Sequence, residues 1–187
     1  KVLDFCWVAV GPMTTSYLAE YGATVVRIES KRRPETLRNA PPFGSQGQSV
    51  NRSGYFANYN ANKYGMAVNM VHPQAREFMK RLVAWADLVT ENFTPGTLED
   101  WGLGYEDLCQ VKPDIILFST SMLGRGGPYS QQPGFGAVRK REVARCDAVL
   151  LQVAPGRRVL WDRARRRDVV GRDRVAEHGE HASARDV

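Results

Sequence analysis

The stretch VLDFCWVAVGPMTTSYLAEYGATVVRIE, residues 2–29, decides the fold. Residues 2–10 are β-rich and apolar on both faces, as a strand buried on two sides requires. Gly11 and Pro12 break that run. Residues 13–21 then put Leu18 and Tyr21 on one side of a helix that Gly22 is suited to cap, and residues 23–29 read as a second strand. A strand, a helix and a strand joined so tightly form a βαβ unit, which brings two parallel strands side by side.

The same rhythm continues downstream. Residues 31–52 form a long polar loop containing Pro34, Pro41 and Pro42, and its length marks it as functional. Residues 65–70 alternate like a strand. Residues 72–86 place Ala75, Phe78, Met79, Leu82, Val83 and Trp85 at helical spacing, with Pro73 in the first turn. A strand at 87–92, two short helices at 95–102 and 105–111, and a strand at 114–122 complete the series. This alternation predicts an α/β fold, an open parallel sheet with helices on both faces, Rossmann-like.

Charge divides the chain in two. There are 26 Lys and Arg against 20 Asp and Glu, a net charge of +6. Residues 138–187 hold 13 basic and 8 acidic side chains, so +5 of that excess sits in the tail. From 141 onward Ile, Phe, Tyr, Thr, Asn, Met and Lys are absent. A nucleic-acid arm would mix Lys with Arg and carry fewer acids, so nucleic acid is not the expected partner. The apolar segment AVLLQVA fits a disordered linker poorly. A GC-rich coding sequence read in a shifted frame accounts for the composition best, and two segments are expected: a folded part at 1–137 and a basic tail foreign to it at 138–187.

Cys6, Cys109 and Cys146 show no metal-ligand spacing and no disulfide framework, which fits a reducing cytoplasm and predicts no metal. No apolar run is long enough for a membrane span. His72, beside Pro73, reads as a solvated helix cap, and Trp7, Trp85 and Trp101 read as core.

Ligands of open α/β sheets sit beyond the carboxyl ends of the strands. The loops expected there lack the phosphate cradle GxxxxGK[ST], and GRGGPY lacks the GxGxxG spacing, which argues against nucleotide triphosphates and nicotinamide cofactors. They offer amides, small residues and Lys63, which suit a polar phosphorylated chain.

Taken in order, VLDF, GP, LAEYGATVVRIE, NANKYGMAVNM, ADLVTENFTPGTLEDWGLGYEDL, PDIILFSTSMLGRGGPY and PGFGA resemble the family III coenzyme A transferases, a family that also contains acyl-CoA racemases. The resemblance runs from Lys1 to Ala137 and implies the N-terminal part of a CoA-binding large domain, truncated before its end. It implies CoA contacts at Ala9 and Val10 after the first strand, at Tyr59, Asn60, Ala61, Asn62 and Lys63, and at Asn92, Phe93 and Thr94. Ser30 and Asp100 stand where basic contacts are implied, with Arg32 and Arg33 near enough in sequence to serve instead.

The resemblance also implies that CoA moves between an acyl-CoA thioester and a carboxylic acid through an aspartyl anhydride, in a homodimer, with coenzyme A as substrate and no tightly bound cofactor. Phe135 replaces the histidine of a racemase, which favours transfer. The nucleophilic aspartate is not identified: Asp147 and Asp162 are near the implied place but lack a glycine neighbour and read as solvated charges. An inactive fragment is therefore expected, the alternatives being a racemase-type isomerase or a non-catalytic CoA-binding module.

Overall fold

The computed structural model describes residues 1–121, 125, 128, 130–131 and 148–153, all within one compact unit, Lys1–Ala154. Its central strand, β1 (Val2–Asp4), has only three residues. After it come α1 (Val10–Glu20), β2 (Val25–Glu29), a single 3-10 turn (Thr36–Asn39), α2 (Gly54–Tyr59) and β3 (Tyr64–Ala67). The second half supplies α3 (Ala75–Trp85), β4 (Leu88–Glu91), α4 (Thr97–Asp100), α5 (Tyr105–Val111), β5 (Ile116–Ser121) and β6 (Ala148–Gln152).

The six strands lie in the order β3-β2-β1-β4-β5-β6. The first five are parallel, and β6 closes the sheet antiparallel to β5, with Leu117 opposite Gln152 and Ser121 opposite Ala148. The predicted α/β architecture is therefore present. The strand order reverses between β1 and β4, so the chain leaves this pair in opposite directions and opens a crevice at their carboxyl ends.

Side-chain alternation along β1 assigns the two faces. Val2 joins Ala19 of α1 and Val25 in one apolar cluster. Leu3 and Phe5 point the other way, into a larger core with Met79 and Val83 of α3, Leu98 of α4, Leu108 of α5, and Val89 and Leu117 from the sheet. Each of these buried side chains contributes roughly 1.5–3 kcal/mol. Helix α1 turns a different face inward from the one its sequence announces. It buries Gly11, Pro12, Thr15, Ser16 and Ala19, while Tyr21 is 91% exposed and Leu18 lies on the outer side. Small residues let the helix approach closely: a Cβ on Gly11 would stand 2.6 Å from the Cys6 Cβ.

The expected strand at 2–10 stops at Asp4, and helix α1 begins at Val10, taking Gly11 and Pro12 into its first turn. Proline is tolerated there because the missing N–H has no helical partner in any case. Asp4 ends the strand because its carboxylate turns local bonding away from the ladder. It accepts the backbone N–H of Cys6 at 2.9 Å, the Thr15 hydroxyl of α1 at 2.6 Å, the Thr90 hydroxyl of β4 at 2.9 Å and the Lys63 ammonium at 3.2 Å. Asp4 is fully buried and Lys63 is 1% exposed at its side chain.

Lys63→Met keeps the apolar stem and removes the charge, leaving Asp4 buried without its cation. A loss of about 3–5 kcal/mol is expected, read as a lower urea midpoint at unchanged slope.

Candidate functional site

The carboxyl ends of β1, β2, β3 and β4 converge on a cavity of about 510 Å³. Its lining comes from four segments: Phe5 and Trp7 after β1; Ile28, Glu29, Ser30, Arg32 and Arg33 from the end of β2; Val68, Asn69, Met70 and Val71 after β3; and Phe93, Thr94, Thr97 and Trp101 after β4. A second hollow of about 480 Å³ adjoins it along β3, sharing Glu29 and Ser30 and adding Lys31 and Arg38.

Aromatic rings build one wall. Trp7 meets Phe93 edge-on with ring centres 5.9 Å apart, Phe93 meets Trp101 at 5.4 Å, and Trp101 rests on Phe5 at 6.3 Å. The Arg33 guanidinium stands 5.8 Å from the Trp7 ring centre. Lys31, Arg32 and Arg33 are all solvent-exposed at this rim. An aromatic wall with a basic rim accommodates a flat heterocycle carrying phosphates, because the rings take the base and the guanidiniums bond phosphate oxygens.

Behind the cavity a polar network holds the loop that carries the arginines. Arg27, buried on β2, pairs with Glu29 at 2.7 Å and with Glu35. Arg38 grips Glu29 through both Nε at 2.7 Å and Nη2 at 2.8 Å, and its guanidinium lies 3.7 Å from the Phe56 ring centre. The Glu35 N–H donates to Glu29 Oε1 at 2.8 Å. Burial opposes ionisation of Glu29, yet the bonds from Arg38, the Glu35 amide and Arg27 outweigh it and hold the carboxyl at about 2. Glu35 goes the other way, raised by burial against the pull of Arg27. Burial likewise raises Glu91, which accepts the Phe93 N–H at 2.8 Å and pairs with Arg125 at 3.0 Å.

These features have a known setting. The sequence profile described as CoA-transferase family III matches residues 1–170. The chain belongs to this family. It is 38% identical over 140 residues to human succinyl-CoA:glutarate CoA-transferase, covering 74% of this chain and 31% of that protein. It is also 38% identical over 147 residues to the succinyl-CoA:mesaconate CoA-transferase of Haloarcula marismortui, covering 78% and 33%. Among solved structures, a CaiB/BaiF family protein from Brucella suis matches with a TM-score of 0.64 at 31% identity, over 72% of this chain and 35% of that one. The chain thus spans about a third of the length of these relatives.

The structure divides the residues expected to contact CoA in this family III chain. Phe93 and Thr94 line the cavity. Asn92 stands behind them and clasps the Trp7 backbone, accepting its N–H at 2.8 Å and donating to its carbonyl at 2.6 Å. Ala9 is the N-cap of α1 and Val10 its first residue. Tyr59, Asn60, Ala61, Asn62 and Lys63 precede β3 and so stand at its amino end, away from the cavity lining. The Lys63 ammonium donates to the Pro12 carbonyl at 2.8 Å and to Asn60 Oδ1 at 3.1 Å in addition to Asp4. Burial pushes it below the usual lysine range, with Asp4 opposing that shift.

Sequence reasoning missed Val68–Val71 and the two tryptophans as cavity residues. Trp7 and Trp101 were expected in the core, but both are half-buried with one side on the cavity. Position was the available signal for Trp101, which directly follows the short helix α4, whereas Trp7 fell inside the strand expected at 2–10 and carried none. His72 is exposed, and its Nδ1 accepts the N–H of Gln74 at 3.2 Å; α3 starts only at Ala75 with Gln74 as its N-cap, so His72 precedes the helix instead of capping it. Phe135, Asp147 and Asp162 lie outside the described residues, as does the foreign tail expected at 138–187 apart from residues 148–153, which contain β6. Among the described residues no helix is long and apolar enough to cross a membrane.

Glu29 sets the acid limit of this region. Its folded-state pKa lies below the ordinary 4.5, at about 2, so its contribution is complete above pH 4.5 and is lost as pH falls towards 2. Glu35 and Glu91, both raised, have the opposite sign and do not add to that loss. Urea midpoints from pH 7 to pH 3 are expected to fall more steeply for the native chain than for Glu29→Gln, which starts lower at neutral pH.

Proposed function

We propose that this chain is the coenzyme A-binding part of a family III CoA-transferase, and that the cavity at the ends of β1–β4 takes the adenosine phosphate end of the thioester. The observation that carries this reading is the joint presence of the Trp7–Phe93–Trp101 wall and the Arg32–Arg33 rim at the reversal point of the sheet. Family membership supports the same conclusion from outside the geometry. Coenzyme A is substrate here, not a resident cofactor.

The reaction proposed for the whole enzyme follows from thioester chemistry. An aspartate carboxylate attacks the acyl carbonyl, the C–S bond breaks, and a mixed anhydride and a CoA thiolate result; the thiolate then attacks the aspartyl carbonyl and releases the acyl group as a carboxylate. The incoming carboxylic acid reverses these steps. Backbone amides of glycine stabilise the oxyanions formed on the way. No aspartate of this sequence is identified as the nucleophile, so this chain by itself is proposed to bind acyl-CoA without turning it over, in the cytoplasm, whereas the full-length enzyme acts as a homodimer.

Titration calorimetry with CoA tests the reading. Micromolar to millimolar binding is expected, weakened about tenfold by the double variant Arg32→Ala, Arg33→Ala, whose affinity also depends less on salt than that of the native chain. Phe93→Ala is expected to lose a similar factor at all salt concentrations, through the wall. An absence of heat with CoA at millimolar concentration sinks the reading, and acyl transfer by this chain overturns the claim of binding alone.

A further inference from the structure

Val8 has φ = 64°, in the left-handed region, and only one other described non-glycine residue, Asn62, shares that sign. Asparagine is tolerated there, but a β-branched residue is not. Such strain persists only where the surroundings impose it, and it clusters at ligand sites. Val8 sits between Trp7, which lines the cavity, and Ala9, the N-cap of α1. Its backbone angle therefore decides both where the Trp7 ring faces and where the helix starts.

The restraint is visible. Val8 N–H donates to Glu35 Oε1 at 2.7 Å across 27 residues of sequence. Glu35 is fully buried, its Oε2 is paired with Arg27, and its own N–H is tied to Glu29. Trp7 is clasped on the other side by Asn92. Glu35 does not line the cavity.

We propose that Glu35 is a positioning residue for this site: its carboxylate, anchored by Arg27, clamps Val8 in the left-handed conformation and so aims Trp7 at the bound ligand. The inference rests on the CoA-binding reading for its functional consequence, but the clamp itself is present without ligand. Removing it lets Val8 relax to negative φ, and only the fraction of molecules that keep the turn then binds well. Glycine adopts positive φ without penalty and needs no clamp.

The test uses the 187-residue chain, with CoA as the titrant. Glu35→Ala is expected to weaken CoA about tenfold, and adding Val8→Gly to that variant is expected to bring the affinity back to within about threefold of the native value. The stability lost when Arg27 keeps Glu29 but loses its second buried carboxylate is not recovered by the glycine, so affinity and urea midpoint separate. A purely structural role for Glu35 gives no rescue, and either that outcome or unchanged binding by Glu35→Ala overturns the proposal. If Glu35→Ala fails to fold, hydrogen exchange of the Val8 amide in the native chain decides instead. Protection comparable to that of the β1 amides supports the clamp, and exchange at the rate of an open loop overturns it. Failure of the native chain to bind CoA removes the functional reading alone, since the exchange measurement still reports on the clamp.

Discussion

The structure depends first on the Asp4 carboxylate. A buried charge at the middle of a sheet is expensive unless it is paired and fully hydrogen-bonded, and here four donors meet it from four places: the Cys6 amide just past β1, Thr15 on α1, Thr90 on β4 and Lys63 just before β3. Each bond ties a separate segment to the same point. The strand is cut to three residues, the helix is drawn down on its small-residue face, and the chain between them becomes a turn. The cavity exists because that turn is not a strand.

A second polar cluster, built on β2, governs the loop that follows it. Two arginines, Arg27 and Arg38, share two carboxylates, Glu29 and Glu35, and the sharing is unequal. Glu29 takes both nitrogens of the Arg38 fork and a backbone N–H, which drives its pKa down. Glu35 is left with Arg27 and the Val8 amide in a drier place, and burial prevails. The cluster fixes the base of the loop, so Lys31–Arg33 extend from a rigid root to the cavity rim.

The α/β alternation was legible because hydrophobic periodicity reports burial on each face, and five of the six strands fall where that pattern put them. The end of β1 was not. VLDFCWVAV reads as one apolar run, and a single aspartate inside it carries no local sign that three distant partners will hold it. Positive φ at a valine is equally silent, since it is imposed by Glu35 from across the fold. Helix α2, just past the loop expected at 31–52, was not legible because its only strong local cue is the Ser53 cap, whose hydroxyl accepts the Phe56 N–H. Strand β6 was hidden because its partner β5 lies far away in sequence. That the lysine of the NANK segment is held in the core was illegible too, since its partners Asp4 and Pro12 lie 59 and 51 residues away. Its ammonium spends its three donors on Asp4, Pro12 and Asn60.

The cavity therefore has an economy that the family's length alone does not reveal. Every residue lining it lies before residue 102, within a chain that covers about a third of its relatives. On the proposed reading, the nucleotide end of coenzyme A is held by strand ends that are complete within this segment, while the thioester is worked on by groups supplied elsewhere. Binding energy gathered on a remote, unreacting part of a substrate is useful because it holds the reacting bond in place. That division requires the nucleotide site to be rigid, for a yielding anchor transmits nothing to the other end of the substrate. The buried Asp4 pairing, the doubly clasped Trp7 and the clamped Val8 supply that rigidity from the first strand and its immediate neighbours in the sheet.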